Sequence, residues 1–186
     1  PSREIALNEL FDACARSPSC AAAHPGPGAR LDAIRDRLGP QGREVALTDP
    51  RTGEASTQHL MFDHVLGALQ PFAYAPELAA LLPEVIGRAA VGDFGPLLAG
   101  AMLVTGYLDD QSNTALHYSV TCTEDVPRVS ADEAMRTLAP LRTKTLAERA
   151  LSVCAVWPKG VATADATTPV NSDVPVLILS GGLDPV

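Results

Sequence analysis

The run "VPVLILS" at residues 174–180 constrains this chain more than any other stretch. A continuous apolar run, closed by serine and glycine, reads as a strand buried on both faces of a parallel sheet. Such a strand needs neighbours along its edges and helices over its faces. "ALHYSVTC", at residues 115–122, is rich in β-branched and aromatic residues and predicts a second strand. Between the two lie "SADEAMRTL" and "TLAERALSVCAVWP", which predict helices. Ser130 and Glu133 form a capping box at the start of the first, Pro140 interrupts, and Pro158 stops the second. Strand, helices, strand is the pattern of one right-handed crossover in an α/β sheet. Two strands do not make a self-sufficient sheet, so their partners are expected from another segment.

Residues 1–113 read differently. "IALNELFDAC" places Leu7, Leu10, Phe11 and Cys14 on one helical face. "SPSCAAAHPGPGA" is a Pro/Gly-rich connection, and "RLDAIRDRLG" repeats the helical spacing at Leu31, Ile34 and Leu38 until Gly39 ends it. "GREVALTDPRTGEAST" alternates at Val45 and Leu47, turns through "DPRTG" and resumes in "EAST", the pattern of a short hairpin. "TQHLMFDHVLGALQPF" then predicts a helix capped by Thr57 with Met61, Val65 and Leu69 in line. Pro83 closes one short helix and opens the next, and Asp93 starts another. Aromatic residues are only 4% of the chain, so the core must be built from Leu, Val and Ala, which suits helices. The fold expected is mainly α. A helical unit with a short hairpin spans 1–113, and two strands of a parallel core sheet with helices between them span 114–186.

Fourteen basic residues against twenty-two acidic ones leave a formal charge of -8, with the basic residues scattered, so nucleic acid is not an expected partner. No apolar stretch approaches the roughly 20 residues that span a bilayer, and no membrane span is expected. "PSREIALNEL" has no basic leader followed by an apolar block, so a secretion signal would have been removed or would lie upstream. The four cysteines are Cys14, Cys20, Cys122 and Cys154. Their spacing matches no zinc ribbon or redox pair, and neither a metal nor a cofactor is expected. An even count without metal spacing favours disulfides and an oxidising, extracytoplasmic compartment, with three connectivities open and free buried thiols as the alternative. A Cys14–Cys20 bridge would staple the first helix to the connection that follows it.

Asp184 sits in "SGGLDPV", directly after the buried-strand pattern. Two readings fit these residues: a Gly/Asp-Pro turn, or an acid at the carboxyl end of a sheet strand, where open α/β sheets bind ligands. "VPVLILSGGLDPV" resembles the strand and loop that carry the catalytic acid in α/β-hydrolases, in particular the group of secreted tripeptidyl and prolyl aminopeptidases. "LFDACARSPSC", a lid of helices, "HYSVTCTEDVP" and "CAVWP" agree with that resemblance in order. It implies a serine hydrolase in which residues 1–113 are the helical lid, or cap, and 114–186 part of the core. Asp184 would be the triad acid that holds the catalytic histidine's ring N–H.

The same resemblance implies that Cys122 and Cys154 are paired. Carboxylates after the first strand, Glu124 and Asp125, become candidates to meet the ammonium of a peptide substrate. No G-x-S-x-G occurs, and His24, His59, His64 and His117 all precede the acid, so none matches the family's histidine position. The segment is therefore expected to be inactive alone and to depend on the missing hydrolase core segments, or to hide its apolar strands by forming a homo-oligomer. The substrate implied is a small peptide, amide or ester. An esterase- or lipase-like parent is the enzymatic rival, and a non-enzymatic, disulfide-stapled helical binding module is the rival from another class.

Overall fold

The computed structural model describes residues 2–109, 113–163, 168–179 and 181. They divide into two compact units, one within residues 2–109 and the other within 113–181. The fold is mainly helical, with one two-stranded antiparallel hairpin.

In the first unit, α1 (Ser2–Arg16) buries Ala6, Leu7, Phe11 and Cys14 along the stripe that the apolar spacing predicts. The Pro/Gly-rich connection contains a further short helix, α2 (Pro18–Ala23). Pro18 stands in its first turn, where a missing N–H costs nothing. The Cys14–Cys20 disulfide ties α2 back onto α1. Helix α3 (Pro27–Leu38) presents Leu31, Ile34 and Leu38, all buried, and packs against a helix introduced below.

Strands β1 (Arg43–Thr48) and β2 (Ala55–Leu60) pair from Arg43↔Leu60 to Thr48↔Ala55. The Asp49 carboxylate accepts the N–H groups of Arg51 (2.7 Å) and Thr52 (3.2 Å), closing the turn, and Gly53 supplies its φ of 75°. Gly42 enters β1 at φ 73°, where a Cβ would stand 2.7 Å from the Leu60 carbonyl oxygen, so glycine is required on both counts.

The helix expected to be capped at Thr57 begins later, because "TQHL" completes β2 and gives the ladder its partner for Arg43. Helix α4 (Phe62–Leu69) starts instead after Met61, whose N–H donates to His64 Nδ1 at 3.2 Å, and it buries Val65, Leu66 and Leu69. A 3-10 turn over Gln70–Tyr74 buries Phe72, and α5 (Pro76–Ala79) leads to α6 (Leu82–Ala90), opened by Pro83 as predicted. The buried stripe Leu82, Val85, Ile86 and Ala89 of α6 meets α3. Helix α7 (Gly95–Asp109) packs on α4, α6 and β1, with Asp93 Oδ1 accepting the Gly95 N–H.

The second unit departs from expectation. "ALHYSVTC" is not a strand: α8 (Thr114–Val120) covers it and runs into one π-helical turn, Thr121–Asp125. The reason is local. Asn113 Oδ1 accepts the Leu116 N–H at 3.0 Å and caps the helix, and no strand among the described residues lies alongside to satisfy the backbone in a ladder. "VPVLIL" likewise forms no strand, and residues 174–179 carry no sheet pairing among the described residues. The two parallel core strands of the expected fold are therefore replaced by helix and by unpaired chain. The capping box is present, Ser130 Oγ accepting the Glu133 N–H ahead of α9 (Ala131–Leu138). Helix α10 (Lys144–Val156) ends at Trp157, before Pro158.

Candidate functional site

The π-helical turn and the end of α10 are held together at several points. Cys122 and Cys154 form a disulfide, with both residues buried. Flanking Cys122, Thr123 Oγ1 accepts the Gly160 N–H at 2.9 Å. Trp157 donates from Nε1 to Ser119 Oγ at 3.3 Å and lies against Tyr118, ring centroids 5.3 Å apart. Local sequence puts the tryptophan there, since its N–H bonds back to the Val153 carbonyl and Pro158 prevents another turn.

Glu124 and Asp125 follow on this braced turn. Both are exposed, and neither side chain makes a hydrogen bond or ion pair among the described residues. Two adjacent carboxylates with free lone pairs can receive an ammonium or guanidinium group, though in open solvent each such pair contributes only about 0–1 kcal/mol. Asp184, the predicted triad acid, lies outside the described residues.

The histidines have local roles. His24 Nδ1 faces Glu84 at 3.6 Å, His64 caps α4, and His117 meets the edge of Tyr118. His59 bridges the hairpin, with Nδ1 3.1 Å from Glu44 Oε1 and Nε2 2.7 Å from the Gln41 carbonyl oxygen. No serine hydroxyl bonds to a histidine among the described residues, so no nucleophile-base pair is assembled there. Nor do the described residues bring together three or more His, Cys, Asp or Glu side chains that could hold a metal.

Sequence reasoning missed a cleft of about 650 Å³ in the first unit, between β1 and the start of α7. Arg37 and Arg43 line it, with Glu44 and Asp93. The acids are engaged, Glu44 by His59 and Asp93 by Arg88, whose Nε donates at 2.8 Å. Arg37 Nε donates to the Ala90 carbonyl at 3.0 Å, and the Arg43 side chain makes no hydrogen bond or ion pair among the described residues. The alternation in "REVALT" signals a strand. It does not signal which edge of that strand stays open, so Arg43 at its start and Arg37 in α3 had no visible role.

No family model matches the chain, and no curated protein or solved structure was found to match it.

Proposed function

We propose that these 186 residues are the lid and acid-bearing part of a secreted serine hydrolase of the α/β-hydrolase type, resembling tripeptidyl and prolyl aminopeptidases. The observation that carries this reading is the state of residues 176–179. Val176, Leu177, Ile178 and Leu179 are 77%, 82%, 83% and 84% exposed. Full burial of such side chains is worth roughly 1.5–3 kcal/mol each, and together they forgo a driving force of ~6–12 kcal/mol. A segment of that composition is built to enter a sheet, and in the proposed enzyme it lies between strands supplied by other core segments.

On this reading the run delivers Asp184 to the carboxyl end of the sheet. There it accepts the catalytic histidine's ring N–H, fixes the tautomer and stabilises the imidazolium formed as the serine attacks. The nucleophile and histidine belong to hydrolase segments other than these residues. Glu124 and Asp125 offer carboxylates to the free amine of a short peptide. Two disulfides fit an oxidising compartment.

The test begins with the codons on both sides of this segment, which should encode a G-x-S-x-G upstream and a histidine downstream. In the full-length product, cleavage of an aminoacyl or tripeptidyl anilide should exceed that of an acyl ester. Asp184→Asn should lower turnover by about 10⁴ without unfolding the protein. Near-normal activity in that variant removes Asp184 from the triad. Activity on the ester alone leaves an esterase.

One observation favours a second reading. The first unit has its own buried core, from Leu31 and Ile34 to Ile86 and Leu97, and an open cleft, as a binding module would.

A further inference from the structure

The cleft beside β1 has a direction that its lining residues reveal. Side chains alternate between the two faces of a strand, yet Arg43, Glu44, Val45, Ala46 and Thr48 all line the same cleft. No residue of β2 does so, and the cleft therefore runs along the edge of β1 opposite β2. The ladder's phase follows from the turn. Asp49 donates its N–H to the Glu54 carbonyl at 2.9 Å, so by alternation Leu47, Val45 and Arg43 exchange bonds with β2. Glu44, Ala46 and Thr48 then point their N–H and C=O groups outward. All three line the cleft.

The opposite wall comes from the turn after α6 and the first two turns of α7, where Gly92, Gly95 and Ala99 leave space beside the strand. The volume of about 650 Å³ is that of a ligand cleft. Its unpaired cation is Arg43, whose guanidinium has no partner among the described residues, whereas Asp93 is paired with Arg88 and Glu44 is in hydrogen-bond contact with His59.

We propose that this cleft receives an extended peptide as a third, antiparallel strand, with the peptide's C-terminal carboxylate held by Arg43 and Arg37. Backbone bonding to Glu44, Ala46 and Thr48 supplies affinity with little dependence on side chains, as in other strand-addition sites. Antiparallel direction places the peptide's C-terminus beside the first residue of β1, which is Arg43. A guanidinium matches a carboxylate with two parallel N–H···O bonds. The cleft lies wholly within residues 2–109, so the proposal needs neither Asp184 nor a hydrolase core and stands or falls separately from the reading above.

The test uses the whole 186-residue chain and fluorescence anisotropy with an N-terminally labelled peptide, Lys-Thr-Val-Thr-Val-Thr, bearing a free carboxylate. Binding is expected, at least tenfold weaker for the C-terminal amide. Arg43→Gln should weaken binding of the free acid toward that of the amide and leave the amide's own affinity unchanged, whereas Arg51→Gln, in the hairpin turn and outside the cleft, should alter neither. N-methylation of alternate peptide amides should abolish binding in one phase and spare it in the other, because only alternate amides face β1. Equal affinity of acid and amide, or equal effects of the two methylation phases, overturns the proposal. So does an absence of binding up to about 1 mM, whether the edge is then vacant or sedimentation shows a second copy paired along it.

Discussion

Gly100 lies inside α7, where an alanine would ordinarily be better. In an open helix position Gly→Ala stabilises by about 0.8–1.0 kcal/mol. Here the sign is expected to reverse. A Cβ built on Gly100 collides with Phe72 Cζ and approaches Cε1 and Cε2 of the same ring at 3.2 and 3.4 Å. The ring cannot swing away, since Phe72 is only 2% exposed within the turn Gln70–Tyr74. Overpacking of a filled core costs ~1–3 kcal/mol. Set against the helix gain, Gly100→Ala should lose about 1 kcal/mol, or roughly 2–4 °C in Tm for a chain of this size. Phe72→Leu removes the obstructing ring edge, and on that background Gly100→Ala should become neutral or stabilising. Urea unfolding of the four proteins, followed by circular dichroism at 222 nm, closes the cycle, with an expected coupling of about 1–3 kcal/mol. If Gly100→Ala stabilises the parent by about 1 kcal/mol and the two changes add, the helix does not pack on Phe72 and the reasoning fails.

The two disulfides should differ in worth. Loop-entropy arithmetic for separations of 32 and 6 residues gives roughly 4 kcal/mol for Cys122–Cys154 and roughly 2 for Cys14–Cys20. Paired Cys→Ala variants in chemical denaturation should show that order, and the reverse order would refute the entropic account. The Asp49 carboxyl is held below the ordinary carboxylate range, first by the Arg51 N–H and also by those of Thr52 and the Arg51 charge. Its contribution to the hairpin is therefore present above the ordinary aspartate value of about 3.9 and is lost as pH falls through the lower folded value. Asp49→Asn should remove that acid-side dependence, read from exchange of the Gly53 amide across pH, and an unchanged profile would rule the carboxylate out.

Much of the fold was legible where its signals are local. The buried stripe Leu31, Ile34 and Leu38, the turn at Asp49, the restart at Pro83 and the Ser130 cap depend on spacing and on bonds within a few residues, and all stand where their residues imply. The start of α4 was not legible in that way. Thr57 is a competent cap, but Gln58 to Leu60 complete a ladder whose other strand begins at Arg43, and that pairing is a long-range fact. The candidate site was less legible still. Glu124 and Asp125 could be named from sequence, whereas Arg37 and Arg43 acquire a shared surface only when α3, β1 and the start of α7 converge.

Sequence by itself determined the helical character, the hairpin turn and the presence of apolar runs that demand partners. Tertiary structure decided what those runs become. "ALHYSVTC" can satisfy its backbone within itself and takes the helix that Asn113 caps, whereas a strand must take all its ladder bonds from neighbouring segments. Residues 174–179 have no such neighbour among the described residues and stay exposed, and a ladder partner is the one thing a strand's own sequence cannot supply.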